Sequence, residues 1–373
     1  MTSSADPYRV MVVDDSAVIR GLLTRALEQD PTIEVVASVS NGQMALNQLP
    51  RQPVDVVVLD IEMPVMDGLT ALPQLLSLKP GLQVIMASTL TRKNADVSLR
   101  ALRAGAADYV AKPSSGGELH SADAFKRELT DKVKALASAA RGGRSVGQRS
   151  VKPTATAPQR PASGSASGAT PVKLRDPSTQ MPEVLAIGSS TGGPQALFKL
   201  LGDLKGALRL PVLITQHMPA TFTTLLAEHL GRASGMECHE GRDGEPLQAG
   251  TIYVAPGDWH MTVASEGTKR FIQLNQNPPE NFCRPAVDPM LRSLAPIYGP
   301  RLQAVILTGM GSDGAKGCEA VVAAGGQVVA QDEASSVVWG MPGAVATRGL
   351  CTAVLPIGEI SGYLRRKVLR SAA

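Results

Sequence analysis

The sequence predicts an α/β protein in which a flexible linker joins two domains, each a parallel sheet covered by helices on both faces. Short β-branched runs alternate with helical patterns in both halves of the chain, and this alternation is typical of βα units. The stretch between the halves lacks such runs, and 373 residues are enough for two domains. We expect the domains at residues 1–137 and 181–373, with the linker at residues 138–180.

Five consecutive strand–helix units are predicted in the first domain. The expected strands lie at residues 9–13, 33–39, 54–59, 82–87 and 107–111. The expected helices lie at residues 16–29, 43–49, 68–78, 93–104 and 118–136. Apolar strands of this kind are buried on both faces, so the pattern favours a parallel sheet between two helical layers.

The same alternation resumes in the second domain. The expected strands lie at residues 183–187, 211–216, 251–255, 304–308 and 327–330, with a short hairpin within 260–274. The expected helices lie at residues 194–201, 221–230, 285–294 and 315–324. This pattern predicts a second doubly wound α/β domain, in which ligands bind beyond the carboxyl ends of the strands.

The region between the domains has the composition of a linker. Residues 138–180 are rich in Ser, Ala, Gly, Pro, Thr and Arg and contain no aromatic residue, so they cannot bury enough apolar surface to fold. They carry seven Lys and Arg residues against one Asp, whereas the rest of the chain is close to neutral. The pI of 8.9 is therefore a property of the linker and does not imply nucleic-acid binding. An aromatic content of 3% also argues against stacking on exposed bases.

The cysteines and the apolar runs bound the cellular location. The four cysteines show no C-x-x-C spacing, which indicates a reducing compartment without a disulfide framework or a zinc site. No run approaches the ~18 apolar residues that a membrane span needs, and the N-terminus lacks the apolar segment of a signal peptide. We expect a cytoplasmic protein with no nucleic-acid partner and no membrane insertion.

Polar residues follow four strands of the first domain. Asp14 and Asp15 follow the first strand, and Asp60 ends the third. Ser88 follows the fourth strand and Lys112 the fifth. Parallel strands bring these positions to one edge, where three carboxylates repel one another unless a hard cation such as Mg²⁺ neutralises them. With a lysine and a hydroxyl nearby, this set predicts an aspartate that accepts a phosphoryl group.

Residues 8–137 thereby resemble a response-regulator receiver domain, which implies a (βα)5 flavodoxin-like fold and a histidine kinase as phosphodonor. At the matching positions the resemblance implies that Asp60 is the phosphoacceptor. It also implies that Asp14 and Asp15 bind Mg²⁺ together with Asp60 and the backbone carbonyl of Glu62.

Three further residues match the switch of such receivers. Ser88 matches the switch hydroxyl, Lys112 the invariant lysine and Tyr109 the switch aromatic residue. On its own, an aromatic residue such as Tyr109 is more often simply part of the core. The run MPVMDG at residues 63–68 fits the loop after the phosphoacceptor.

A candidate nucleophile lies at the start of the second domain. An apolar run gives way to GSSTGG at residues 188–193, and GSSTG fits the G-x-S-x-G pattern, which holds a serine at a sharp strand-to-helix turn. Ser190 occupies the central position, and Ser189 is the competing nucleophile.

A serine hydroxyl needs a base, and the base needs an acid that orients it. His217 and Asp313 each follow another expected strand. The order Ser, His, Asp differs from that of α/β-hydrolases, so that fold is not implied. His260 is the competing base, whereas His229 lies inside an expected helix and is expected at the surface.

The segment around Asp313 also allows a different interpretation. GMGSDG at residues 309–314 fits G-x-G-x-x-G between a strand and a helix, and Asp332 follows the next strand. Gly309, Gly311, Gly314 and Asp332 would then form a dinucleotide site. That hypothesis explains neither Ser190 nor His217.

Residues 183–370 resemble the catalytic domain of chemotaxis protein-glutamate methylesterases. The matching segments are IGSSTGGP at 187–194, TQHMP at 215–219, APG at 255–257, RPAVD at 284–288 and LTGMGSDG at 307–314. The one small departure is Ser189, where the family often has Ala.

This resemblance implies a Rossmann-like doubly wound fold and a Ser-His-Asp triad of Ser190, His217 and Asp313. The backbone N–H groups of Thr191 and Met310 would bind the oxyanion. The implied activity is phosphorylation-activated hydrolysis of glutamate methyl esters, with glutamine deamidation, on methyl-accepting chemoreceptors. No cofactor is implied at the esterase site. The alternative is a receiver-linked nucleotide-binding module or a non-catalytic phospho-binding module.

Overall fold

Two separate parallel sheets organise the chain, as the alternating pattern predicts. The structure is a computed structural model, and it describes residues 6–89, 91–112, 119–146 and 172–368. None of the helices in these described residues is both long enough and apolar enough to cross a membrane.

The first sheet has five strands in the order β2-β1-β3-β4-β5, and all neighbours are parallel. The strands are β1 Tyr8–Val13, β2 Ile33–Val39, β3 Val56–Asp60, β4 Gln83–Ser88 and β5 Asp108–Ala111. The helices are α1 Ala17–Glu28, α2 Gly42–Gln48, α3 Gly68–Leu78, α4 Arg92–Arg103 and α5 Leu119–Val146. The central strand β3 is buried along its whole length, which explains its run of valine and leucine.

Side-chain caps define where the first four helices begin. An oxygen of each capping residue accepts a backbone N–H of the first turn, which satisfies a donor that the helix leaves unpaired. The capping residues are Ser16, Asn41, Asp67 and Thr91. Because all five strands are parallel, the polar residues that follow them lie at one edge of the sheet, on the side where these helices begin.

Helix α5 is longer than the sequence predicts. It continues through residues 138–146, where the sequence predicts the linker. The Arg141 guanidinium lies 2.6 Å from the Asp55 carboxylate and 4.7 Å from the centre of the Tyr8 ring. This last part of α5 therefore packs on the first domain. Residues 147–171 of the expected linker lie outside the described residues, and the domain boundaries stay a prediction.

The second sheet has seven parallel strands in the order β14-β13-β12-β6-β7-β9-β8. The strands are β6 Val184–Ser189, β7 Val212–Gln216, β8 Glu237–Glu240, β9 Thr251–Val254, β12 Leu302–Ile306, β13 Gln327–Gln331 and β14 Ala353–Leu355. The helices are α6 Gly193–Asp203, α7 Ala220–Ser234, α8 Val287–Tyr298, α9 Ala315–Ala323, α10 Gly340–Thr347 and α11 Ile357–Val368. The expected hairpin forms from β10 His260–Glu266 and β11 Lys269–Asn275.

The sequence pattern does not predict strands β8 and β14 or helices α10 and α11 of this domain. Strands β8 and β14 lie at the sheet edges and are only four and three residues long, and β8 has the polar sequence ECHE. Helix α10 contains two glycines and a proline, which have low helix propensity. Burial of Met341, Val345 and Ala346 stabilises α10 instead, and packing of this kind is not visible in local sequence.

An interface joins α4 and β5 of the first domain to α6 and α7 of the second. The Tyr109 ring stacks on Phe222 with the ring centres 4.2 Å apart. His229 is 3% exposed, and its Nε2 lies 2.9 Å from a carboxylate oxygen of Asp96. The expectation of a surface position for His229 is therefore wrong, because α4 covers the face of α7 that carries it.

Candidate active site

Ser190 occupies a sharp turn between a strand and a helix. Strand β6 ends at Ser189, helix α6 begins at Gly193, and Gly192 between them has a φ of 74°. A Cβ atom on Gly193 would lie 2.1 Å from the Gln216 side-chain oxygen, so only glycine fits at the start of this helix. The local sequence thus produces the strand–turn–helix that the G-x-S-x-G pattern predicts.

The two adjacent serines have different surroundings. Ser189 is buried, and its hydroxyl donates to the Gln216 side-chain oxygen at 2.7 Å. The Gln216 amide nitrogen in turn donates to the Ser190 carbonyl at 3.0 Å. Ser190 is half-buried, and within the described part of the chain its hydroxyl forms no hydrogen bond. Ser189 therefore stabilises the turn through its bond to Gln216, and Ser190 is the serine that a substrate can reach.

His217 and Asp313 are in direct contact. Strands β7 and β12 flank β6, and His217 follows β7. The His217 Nε2 lies 2.8 Å from Asp313 Oδ2. The structure thus joins the predicted base to the predicted acid across 96 residues of sequence.

Asp313 is held as a carboxylate by donors around it. The backbone N–H groups of Val287 and Asp288, at the start of α8, donate to it at 2.6 and 3.1 Å. The Asn281 side-chain amide donates at 2.9 Å. Burial alone would raise the pKa of Asp313, but the hydrogen bond and charge of His217 and these backbone donors outweigh burial and lower it. Asp313 is therefore suited to orient an imidazole.

The second nitrogen of His217 faces a residue that the sequence analysis missed. The Cys283 sulfur lies 3.3 Å from His217 Nδ1. Burial would lower the pKa of His217, but the contacts with Asp313 and Cys283 raise it to about 10. In this arrangement the imidazole is protonated at neutral pH and is not hydrogen-bonded to Ser190. A cysteine outside any C-x-x-C spacing gave no sequence signal for this contact.

Backbone N–H groups near Ser190 are available to bind an anion. The Ser190 N–H donates to the Thr308 carbonyl at 3.1 Å. In contrast, the N–H groups of Thr191 and Met310 have no hydrogen-bond acceptor among the residues that the structure describes. The chain approaches closely here, because a Cβ atom on Gly309 would lie 2.9 Å from the Ser190 Cβ. The two N–H groups assigned to the oxyanion by resemblance are therefore free.

The competing candidates have structural roles. His260 is buried, its Nδ1 accepts the Ala286 N–H at 3.2 Å, and its Nε2 lies 3.2 Å from the Pro278 carbonyl. Asp332, the acid of the dinucleotide hypothesis, accepts the backbone N–H and the hydroxyl of Ser335 in its own turn. These contacts occupy both ring nitrogens of His260 and one carboxylate oxygen of Asp332.

The carboxylate cluster of the first domain assembles as expected. The Lys112 ammonium lies 2.6 Å from Asp14 and 2.6 Å from Asp60. Burial, the largest effect, and the charge of Asp14 raise the pKa of Asp60 against the opposing effect of Lys112. Oxygens of Asp14, Asp15 and Asp60 lie within 4.8 Å of one another. An oxygen-only set of this size fits a hard cation such as Mg²⁺.

The expected switch residues lie near this cluster but do not all face it. The Ser88 hydroxyl is buried and lies 3.1 Å from the Ser98 hydroxyl. Tyr109 points toward the second domain, where it stacks on Phe222. The Glu62 carboxylate pairs with the Lys93 ammonium at 2.8 Å. The backbone carbonyl of Glu62 stays a predicted Mg²⁺ ligand.

The residue next to Ser190 is bonded to the first domain. The Thr191 hydroxyl donates to Asp108 Oδ2 at 2.6 Å. One helical turn on, the Gln195 side chain donates to the Ala106 carbonyl. Asp108 directly precedes Tyr109, so this contact links the candidate switch residue to the turn that carries Ser190. Local sequence does not predict this contact, because it spans 83 residues and two domains.

Comparisons with known proteins agree with this architecture. The family described as CheB methylesterase matches residues 185–364, and the response regulator receiver domain matches residues 10–123. A protein-glutamate methylesterase/protein-glutamine glutaminase of group 2 operon from Rhodospirillum centenum is 60% identical, over 100% of this chain and 97% of the relative. A protein-glutamate methylesterase/protein-glutamine glutaminase 1 from Paramagnetospirillum magneticum is 59% identical over 98% of both.

Among solved structures, the Thermotoga maritima CheB methylesterase catalytic domain is 40% identical, with a TM-score of 0.49, over 50% of this chain and 98% of that chain. The Rhodospirillum centenum and Paramagnetospirillum magneticum relatives match this chain almost end to end, at well above 30% identity. The chain belongs to the family of protein-glutamate methylesterases/protein-glutamine glutaminases that carry a response regulator receiver domain.

Proposed function

We propose that this chain hydrolyses γ-methyl esters of glutamate in a protein substrate and deamidates glutamine there, under control of phosphorylation at Asp60. The observation that carries the proposal is the position of Ser190. Its free hydroxyl lies at the end of β6, between the strands that lead to His217 and Asp313. The names of the relatives give these two activities, and methyl-accepting chemoreceptors are the substrates that the sequence resemblance implies.

In the acylation step, the Ser190 oxygen attacks the ester carbonyl carbon and passes its proton to His217. The imidazole must first be neutral and must exchange the Cys283 contact for the Ser190 hydroxyl. Asp313 holds the other ring nitrogen and stabilises the imidazolium that forms. The tetrahedral oxyanion is bound by the free N–H groups of Thr191 and Met310, each of which can contribute ~3 kcal/mol.

His217 then returns the proton to the leaving group, and methanol departs from the ester or ammonia from the amide. Water attacks the resulting acyl-enzyme by the reverse sequence of proton transfers. The products are a free glutamate side chain and the regenerated Ser190 hydroxyl.

The first domain supplies the control. Asp60 accepts a phosphoryl group from a histidine kinase, and Asp14, Asp15, Asp60 and the Glu62 carbonyl would hold the Mg²⁺ that neutralises the transferred group. Ser88, Tyr109 and Lys112 respond to the new charge. The observation that supports this coupling is the chain of contacts from Tyr109 to Phe222 and from Asp108 to Thr191. The unphosphorylated receiver thereby restrains the turn that carries the nucleophile.

The test is methanol release from methylated chemoreceptor membranes by the full chain, with and without a small phosphodonor. Ser190→Ala abolishes release in a folded protein, whereas the matched variant Ser189→Ala keeps it within a few-fold. Asp60→Asn keeps the low rate and loses the response to the phosphodonor. Unchanged release by Ser190→Ala would reject the nucleophile. Phosphorylation without any methanol release would favour the non-catalytic module.

A further inference from the structure

Two exposed aromatic side chains lie on loops beside the candidate active site. Phe282 is 95% exposed and Trp259 is 39% exposed. Among the large apolar side chains that the described residues expose, only these two are aromatic. Aromatic residues make up just 3% of the chain, so the exposure of two of them on loops that are bonded to each other is informative. Exposed apolar groups of this size commonly mark an interaction site. We call this pair the aromatic rim.

The chain directly anchors Phe282 to the site. Asn281, just before it, donates to Asp313 Oδ1 at 2.9 Å. Cys283, just after it, lies 3.3 Å from His217 Nδ1. Because Asn281 contacts the candidate acid and Cys283 contacts the candidate base, the Phe282 side chain between them lies at the mouth of the site.

The loop that carries Trp259 is tied to this segment. The Arg284 guanidinium donates to Asp258 Oδ1 at 2.7 and 3.0 Å, and the Asp258 N–H donates to the Arg284 carbonyl at 3.1 Å. The charged residues of the two loops are thus paired with each other. The aromatic rim therefore offers apolar surface rather than a free charge.

The backbone of these loops is strained in a way that folding alone does not explain. Within the described residues, four non-glycine residues have positive φ, and three of them are Asp258 at 69°, Asn281 at 51° and Phe282 at 64°. This conformation costs an L-residue roughly 1–2 kcal/mol. Asparagine and aspartate tolerate it, but Phe282 gains no burial in return. Strain of this kind persists mainly at functional sites.

The geometry of the substrate requires a surface at this place. A glutamate side chain spans only about 4 Å from its Cα to its carboxyl carbon, given bond lengths near 1.5 Å. To bring that carbon to Ser190, the substrate backbone must approach the site closely. Its neighbouring residues then lie over the loops that carry the aromatic rim. In a helical substrate, residues three and four positions away share the face of the modified glutamate.

We propose that Trp259 and Phe282 form a docking surface for apolar side chains on the same helical face as the modified glutamate or glutamine of the protein substrate. The inference rests on the proposed function and names how its substrate is held. The aromatic rings bind the neighbouring turns of the helix, and the ester or amide enters between them toward Ser190. A small ester without a helix gains nothing from the aromatic rim.

The test measures binding and turnover separately. Binding to methylated receptor membranes is measured by co-sedimentation in a Ser190→Ala background, so that no product forms. Phe282→Ala raises Kd about 10-fold, the loss expected of a central aromatic contact. Phe282→Trp retains binding. The matched control is Leu174→Ala, which removes another exposed apolar side chain, 51% exposed, from the segment that precedes β6.

Turnover is then compared on receptor membranes and on a small glutamate γ-methyl ester. Phe282→Ala raises KM for the receptor about 10-fold with kcat retained, and hydrolysis of the small ester is unchanged. Phe282→Gly relieves the positive φ, so it loses binding while the unfolding temperature rises. Unchanged receptor Kd in Phe282→Ala overturns the proposal, and so does an equal loss on the small ester. If the parent chain releases no methanol, the proposed function fails, and the binding measurement still decides the role of the aromatic rim.

Discussion

Removal of the Cys283 thiol offers the sharpest test of the base assignment. In this structure the two nitrogens of His217 contact Asp313 and Cys283, and together these contacts raise the pKa of the imidazole to about 10. A general base acts only in its neutral form. The Cys283→Ala variant keeps the Asp313 contact and removes the other, so the pKa of His217 falls.

The size of the effect follows from the contact that is lost. A hydrogen bond to a charged group is worth about 1.5–3 kcal/mol, and one pKa unit corresponds to ~1.4 kcal/mol. The acid limb of the kcat/KM profile therefore moves about 1–2 units toward lower pH. At neutral pH this raises the neutral fraction of the imidazole about 10- to 100-fold, which is the upper limit of the rate gain.

The assay is methanol release from methylated receptor membranes between pH 6 and pH 10. Cys238→Ala is the matched control, because Cys238 is the other half-buried cysteine and lies in β8. Cys283→Ser keeps a hydrogen-bonding group and shifts the profile less. If the acid limb of the kcat/KM profile of Cys283→Ala stays in place or moves to higher pH, Cys283 does not raise the pKa of His217. Complete loss of activity in folded Cys283→Ala would show that the thiol contact supports the base instead of holding it protonated.

Three other predictions follow from single contacts. Thr191→Val removes the hydrogen bond to Asp108, so methanol release without phosphodonor rises up to about 10-fold and the response to phosphodonor shrinks. An unchanged ratio of the release rates with and without phosphodonor argues against restraint through this bond. Gly68→Ala places a Cβ atom 2.0 Å from the Asp60 carbonyl and lowers the free energy of unfolding by ~1–3 kcal/mol in denaturant titrations. Its control Gly21→Ala, with open space around the added atom, stabilises helix α1 by about 0.5–1 kcal/mol. The raised pKa of His217 contributes stability that is fully present below its ordinary value of 6.5 and is lost as the pH rises to about 10. In denaturant titrations, the free energy of unfolding of His217→Gln therefore depends less on pH over that window than that of the parent chain. Parallel curves for the two proteins would contradict the raised pKa.

The sequence by itself determined the two sheets and the polar residues at their edges. Buried strands of Val, Ile and Leu alternate with amphipathic helices, and this periodicity is a local property of the chain. Parallel strands must end at the same edge, so residues such as Asp60 and Ser190 were predictable from their place after a strand. The glycines around Ser190 marked the turn in the same way. Short polar edge strands and the glycine-containing α10 were not predictable, because packing rather than propensity stabilises them.

Only the tertiary structure decided which groups touch. Nothing in the sequence near Cys283 indicates that its sulfur meets His217, 66 residues away, or that Asp108 reaches Thr191. The burial of His229 likewise depends on α4 of the other domain. Contacts of this kind depend on how whole helices pack, and local periodicity carries no information on that. The contacts that raise the pKa of His217 and the bond between Thr191 and Asp108 are therefore properties of the assembled fold.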